Sequence, residues 1–266
     1  MIKLIATDLD DTLLTDDKYV TEGNRKAIQA CLDKGIHFVT ASGRFNESQL
    51  ALIKRIDLNL EKELHIGDGG GTLFNEDKIH NTFGIMEKSF YLELLSEVRA
   101  MGLPCMVATY ENIYYDQKDQ PLSAIYGKVE GVRRPYVHYI DDLSDVPNKV
   151  LKLIFLRENE AVYNKLMSLK RPGMSVFMST KQLMEITADD LCKFKAVCAL
   201  AKKLGIEKKE ICCIGDSEND IGMVRDAGLG LSVKNALPSV KAVSDAVGIK
   251  TNNEDGVAWL LEKHIL

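Results

Sequence analysis

Three carboxylates, Asp8, Asp10 and Asp11, fall within four positions directly behind a short apolar run. Like charges so close repel, and such a cluster needs a compensating cation or a shared proton. Leu4 to Thr7 has the composition of a buried strand, and the two-residue spacing of Asp8 and Asp10 can aim both past its end into one site. Mg²⁺ suits that chemistry, being a hard ion that takes oxygen ligands and is often shared between carboxylates and a substrate phosphate. An acidic surface turn is the plain alternative. A second stretch, Ile211 to Asp220, repeats the design: an apolar strand, then Gly215, then Asp216, Glu218 and Asp220. In open α/β sheets ligands sit outside the carboxyl ends of the strands, where both clusters fall.

The elements that must position these groups follow from periodicity and breakers. Thr21 can cap a helix running to Lys34, with Ala27, Ile28, Cys31 and Leu32 as its apolar stripe and Gly35 as its stop. A second strand, Ile36 to Thr40, completes a strand–helix–strand unit, which implies parallel pairing. It runs into Ala41-Ser42-Gly43-Arg44 and so places Ser42 at the same sheet edge as Asp8. A small hydroxyl beside glycine can donate to a phosphoryl oxygen, or can cap a turn; Arg44 can contact a substrate or anchor the loop. A helix over Glu47 to Arg55 and a strand at Leu64 to Ile66 lead to Gly67-Asp68-Gly69-Gly70-Gly71. Strand-like Thr72 to Phe74 follows, so a tight hairpin is expected there and not a nucleotide loop.

From Gly84 to Thr187 the texture changes. A helix over Met86 to Met101 shows Phe90, Leu94, Leu95 and Val98 on one face. Strand-like runs follow at Met106–Tyr110, Ile113–Tyr115, Val150–Leu156, Ser175–Met178 and Leu183–Ile186, with a helix near Glu160 to Leu169. Strands in a run with two helices predict an α+β unit with a mostly antiparallel sheet. The α/β pattern resumes near Ala188. A helix opens at Lys193 or so and stops at Gly205; short elements then follow to the C-terminus.

Asp8-Leu9-Asp10-Asp11-Thr12 resembles motif I (DxDxT) of the haloacid dehalogenase-like phosphohydrolases, and Gly215-Asp216-Ser217-Glu218-Asn219-Asp220 resembles their motif IV (GDxxND). The resemblance covers nearly the whole chain and is nearest to Cof-type sugar phosphatases with a type-IIB cap. It implies a Rossmann-like parallel-sheet core from residues 1–83 and 188–266, with 84–187 as an inserted α+β cap. It further implies Asp8 as nucleophile and Asp10 as general acid and base. Mg²⁺ would be held by Asp8, the Asp10 carbonyl and Asp216, with Asp220 beside it or bound directly. Ser42, as motif II, would hold phosphoryl oxygens together with Lys193 and Asn219. Lys193, eleven residues before Leu204-Gly205, matches the motif III lysine, with Lys195 as second candidate because Phe194 stands where the family has glycine. Gly69 and Lys234 are further departures, replacing an asparagine and a glycine.

The 45% apolar and 27% charged composition is that of a globular protein, and a net charge of −5 without a basic block carries no nucleic-acid footprint. The N-terminus lacks the regions of a signal peptide, and no apolar run approaches spanning length, so a cytoplasmic protein without a membrane partner is expected. Six cysteines form no CxxC pair and read as reduced thiols; five histidines show no zinc spacing. The expected partner is a phosphorylated small molecule, with cap residues Asn112, Arg133, Arg134 and Lys181 as candidates for specificity. A phosphosugar mutase and a catalytically idle binding module are the alternative readings. Oligomeric state is not encoded legibly.

Overall fold

The computed structural model describes residues 1–116, 122, 126, 136–147, 149–179 and 182–266. They fall into two compact units, Met1–Asn81 with Cys192–Leu266, and Thr82–Leu191.

The first unit begins with β1 (Leu4–Thr7), α1 (Glu22–Asp33), β2 (His37–Thr40), α2 (Asn46–Lys54), β3 (His65–Gly67), β4 (Thr72–Phe74) and β5 (Ile79–Thr82). The Thr21 hydroxyl accepts the Asn24 N–H at the start of α1, satisfying a donor the helix leaves open. Between the halves of this unit the chain makes α3 (Lys88–Ala100), β6 (Met106–Thr109), β7 (Ile113–Tyr115), β8 (Val137–Tyr139), β9 (Val150–Leu156), α4 (Glu160–Ser168), β10 (Met174–Met178) and β11 (Leu183–Ala188). It returns with α5 (Lys193–Leu204), β12 (Ile211–Gly215), α6 (Ile221–Asp226), β13 (Leu229–Ser232), α7 (Pro238–Lys241), β14 (Ala246–Val247) and α8 (Gly256–His264).

A five-stranded parallel sheet, ordered β14-β13-β12-β1-β2, is the frame of the first unit. Adjacent residues Cys212 and Cys213 point to opposite faces, yet both are fully buried. The sheet is therefore covered on both sides, which is why its strands read as continuous apolar runs. Each fully buried Leu, Ile or Phe of this core contributes roughly 1.5–3 kcal/mol. From β1 the chain moves one way to β2 and, after the insertion, the other way through β12, β13 and β14. The order reverses between β1 and β12, the crevice where such sheets bind ligands. The strand expected at Leu64 to Ile66 does not extend this sheet. It forms a separate three-stranded sheet, β3-β4-β5, linked to β2 by one parallel bridge, Ala41 to Ile66.

The second unit holds a six-stranded sheet, β10-β11-β9-β6-β7-β8, antiparallel except for the β7–β8 pair. Tyr91, Leu94, Leu95 and Val98 of α3 and Leu166 of α4 pack with Val107, Leu153, Phe155, Val176 and Ile186 from one side of the sheet. Tyr91 takes the place expected for Phe90: it lies on the face of Leu94, Leu95 and Val98, and its hydroxyl donates to the Leu143 carbonyl. Phe90 is only partly buried, with the Arg171 guanidinium over its ring. Strand β8 carries no clear sequence signal, having one half-buried and two exposed residues. The Thr109 hydroxyl caps the turn at Asn112 by accepting its N–H, and the Asn112 side-chain oxygen lies 2.9 Å from His138 Nε2. Arg133, Arg134 and Lys181 lie outside the described residues.

Candidate active site

Asp8 follows β1 and Asp216 follows β12, so parallel pairing of these neighbours brings two distant carboxylates to one edge. The Asp8 N–H donates to the Ile214 carbonyl, which carries the ladder up to the site. Asp220 returns from the turn after β12: its Oδ2 accepts the Asp216 and Ser217 N–H groups at 3.0 and 3.1 Å. Gly215 permits this, since a Cβ there would lie 2.5 Å from the Asp220 side chain. Asp8, Asp216 and Asp220 are all buried, and each offers an oxygen within 4.8 Å of the others.

Lys193 is the first residue of α5, where a cation opposes the helix dipole. It is held there by its partners: Nζ donates to Asp8 Oδ1 at 2.6 Å and to Asp220 Oδ1 at 2.7 Å. Burial disfavours its charge, but Asp220 and Asp8 outweigh it and raise its pKa. Lys195, the second candidate, is exposed two residues on and lies on the opposite side of the first turn. The expected hairpin, Gly67 to Gly71, fixes the start of this helix. Gly70 has φ +106°, and a Cβ there would stand 2.4–2.6 Å from the Cys192 carbonyl group and the Lys193 nitrogen. Only glycine allows so close a seat.

Burial raises the Asp8 carboxyl well above its usual range, and Asp220 and Asp216 add to this against the pull of Lys193. Asp216 is pushed to about 7 by burial and by Asp220. The Thr12 hydroxyl donates to Asp216 Oδ1 at 2.5 Å and acts the other way. Carboxylates that resist shared ionisation, with oxygen donors only, match a hard divalent cation.

Asp10 stands apart from this cluster. Arg44 donates through Nε to its Oδ2 at 2.6 Å and through Nη2 to its Oδ1 at 2.8 Å. Lys18 Nζ lies 2.7 Å from Oδ1. Burial raises the Asp10 pKa, but Arg44 and Lys18 prevail and hold it below the usual carboxylate value. Asp11 has φ +58°, a left-handed residue in the wound turn closed by Leu14 N–H to Leu9 O.

Ser42 follows β2, whose register sets Thr40 opposite Thr7. Its oxygen accepts the Arg44 N–H at 3.2 Å, which leaves the hydroxyl proton to donate elsewhere. Asn219 accepts from the Ser217 hydroxyl, and its Nδ2 lies 3.7 Å from where a Cβ of Gly43 would be. The Ser42-Gly43 loop and the Asn219 amide thus face each other. Lys18 and the Thr12 pairing carried no sequence signal of their own; they depend on contacts made only after folding.

A family model for haloacid dehalogenase-like hydrolases matches residues 5–261. The chain belongs to that family and is an enzyme of its phosphatase type. The chain is similar to two Bacillus subtilis (strain 168) proteins named 5-amino-6-(5-phospho-D-ribitylamino)uracil phosphatase. YcsE is 27% identical over 271 residues, covering 100% of this chain and 96% of that protein. YwtE is 27% identical over 283 residues, covering 98% of each. Among solved structures, TM0651 from Thermotoga maritima superposes with a TM-score of 0.83 at 25% identity, covering 100% of this chain and 98% of that one.

Proposed function

We propose that this enzyme is a Mg²⁺-dependent phosphomonoesterase that acts on small phosphorylated polyols or sugars through an aspartyl-phosphate. The observation that carries the reading is the buried group of Asp8, Asp216 and Asp220 around Lys193. Asp8, with the Asp10 carbonyl and Asp216, would hold the ion, and Asp220 would orient the group from behind. Asp220 is assigned the outer place because its Oδ2 already serves two backbone N–H groups and its Oδ1 serves Lys193. When bound, the ion neutralises carboxylate and phosphate charge and lets the two approach.

The Asp8 carboxylate attacks phosphorus in line with the leaving oxygen, forming the acyl phosphate and breaking the ester bond. Asp10, held ionised by Arg44 and Lys18, takes the proton of the substrate's phosphate monoanion and passes it to the departing alkoxide, then takes one from the water that cleaves the acyl phosphate. The Ser42 hydroxyl, the Asn219 amide and the Lys193 ammonium donate to the phosphoryl oxygens, where charge spreads in the transition state. The unit Thr82–Leu191 is assigned the part of a cap that selects the leaving group. A polyol phosphate is favoured because two relatives are named for a phosphoribityl substrate. We assign the enzyme to the cytoplasm, where such metabolites occur.

The direct test is a screen of phosphate release over sugar, polyol and nucleotide phosphates, with Mg²⁺ and with excess chelator. Release that prefers polyol or sugar phosphates and stops with chelator supports the proposal. Full activity in chelator would refute the metal assignment, and preference for nucleotides would refute the substrate class.

A further inference from the structure

We infer that Arg44 is a positioning residue for the reaction: its guanidinium fixes the Asp10 carboxylate at the bridging oxygen of the substrate. This rests on the part given to Asp10 above. The geometry is a two-bond fork, Nε to Oδ2 and Nη2 to Oδ1, and such planar pairing fixes orientation as well as position.

Arg44 is itself held. It is 7% exposed, and its Nη1 donates to the Ser48 hydroxyl at 3.0 Å from the first turn of α2. Its backbone is pinned between two site loops, the N–H donating to Ser42 Oγ and the carbonyl accepting the Asp68 N–H. The chain therefore runs from α2 through Arg44 to Asp10, and the same residue ties the phosphate-side loop of Ser42 to the glycine hairpin. Lys18 also reaches Asp10, but its side chain is 38% exposed and offers a single point of contact. Asp10 Oδ1 takes Arg44 Nη2 and Lys18 Nζ and Oδ2 takes Arg44 Nε, so one lone pair of Oδ2 is left to exchange a proton with substrate or water. Without the fork, a two-torsion side chain at a turn would lose its aim, and small misplacement of a reacting group costs rate steeply.

The test is a double-mutant cycle on the full chain, with 4-nitrophenyl phosphate and an alkyl phosphate as probes. Arg44→Ala should lower kcat for the alkyl ester roughly tenfold or more, within the range for losing acid–base help. It should leave the phosphorylation burst with 4-nitrophenyl phosphate within about twofold, because that leaving group needs little protonation. Combined with Asp10→Asn it should add little, since both changes remove one function. Ser48→Ala, which keeps the guanidinium, should show the same pattern more weakly and covers the case that Arg44→Ala does not fold. Additive losses, or a raised KM with a lost burst, would place Arg44 on the substrate and overturn the inference. Wild-type turnover in Arg44→Ala and Ser48→Ala with a slow Asp10→Asn would overturn it alone. Wild-type turnover in Asp10→Asn would instead sink the part given to Asp10, and the inference with it.

Discussion

At the scale of single residues, the site is an electrostatic construction. Four carboxylates and three cations, Lys193, Arg44 and Lys18, meet at one end of one sheet. Their pairing sorts the acids into two electrostatic groups. Asp8, Asp216 and Asp220 crowd one another, and burial lifts Asp8 and Asp216. Asp10 is held down by its guanidinium and ammonium neighbours. Thr12 belongs to the first group through its bond to Asp216, 204 positions away. Thr12→Val keeps the shape and removes the donor. It should weaken Mg²⁺ affinity about tenfold to a hundredfold, as loss of a ligand's orienting partner does, while Thr12→Ser retains it. Isothermal titration of the ion into each variant checks this without reference to turnover. The acids themselves were legible in the sequence because each cluster is local, Asp8 to Asp11 and Asp216 to Asp220. The partners were not, because Thr12, Lys18 and Arg44 find theirs only through the sheet register and the turn after β1.

At the scale of elements, the loops that carry the site are set by buried polar contacts behind it. His65 on β3 accepts the Thr40 N–H at Nδ1 and lies 2.7 Å from the Leu60 carbonyl through Nε2, so the ring is neutral with its proton on Nε2. Burial lowers its pKa from 6.5 to about 4. The unfolded chain then binds this proton first, and stability falls as pH drops from about 6.5 towards 4. The full difference is worth roughly 3 kcal/mol. Urea titrations between pH 7 and 4 should show that loss, and His65→Asn should remove this part of the slope. A slope unchanged in the variant would assign the acid sensitivity to the carboxylates. Gly70→Ala makes the matching steric prediction. With φ +106° and the Lys193 backbone in the way, it should cost about 1–3 kcal/mol and lower turnover by shifting Lys193. Thermal midpoint and kcat, measured together, report both. The hairpin was readable from its glycines. Its seat on α5 was not, because a glycine run names a turn and not what the turn packs against.

At the scale of the whole molecule, the chain is two cores joined in one sequence. The parallel frame was readable because buried strands leave continuous apolar runs and their Asp-rich ends recur. The inserted unit was readable as a change of texture, whereas β8 was not, because it is three residues long and two of them are exposed. Thr82–Leu191 is contiguous and holds its own apolar cluster, from Met86 to Ile186. Expressed alone, it should fold cooperatively, with a single thermal transition by circular dichroism; a chain without a transition would show that its core needs the rest. Buried in its sheet, Lys152 and Glu185 pair at 3.0 Å. Removing one partner by Glu185→Leu should cost roughly 3–5 kcal/mol, because the other charge stays buried.

The central claim is that Asp8 carries the phosphoryl group and Asp10 moves the proton. It is tested by rapid quench with a labelled aryl phosphate on Asp8→Asn and Asp10→Asn. Asp10→Asn keeps the nucleophile, and its second step should slow about a hundredfold to ten-thousandfold. Label should therefore accumulate on Asp10→Asn and be absent from Asp8→Asn. Label on Asp8→Asn would contradict the account, because the covalent intermediate would then lie on another residue.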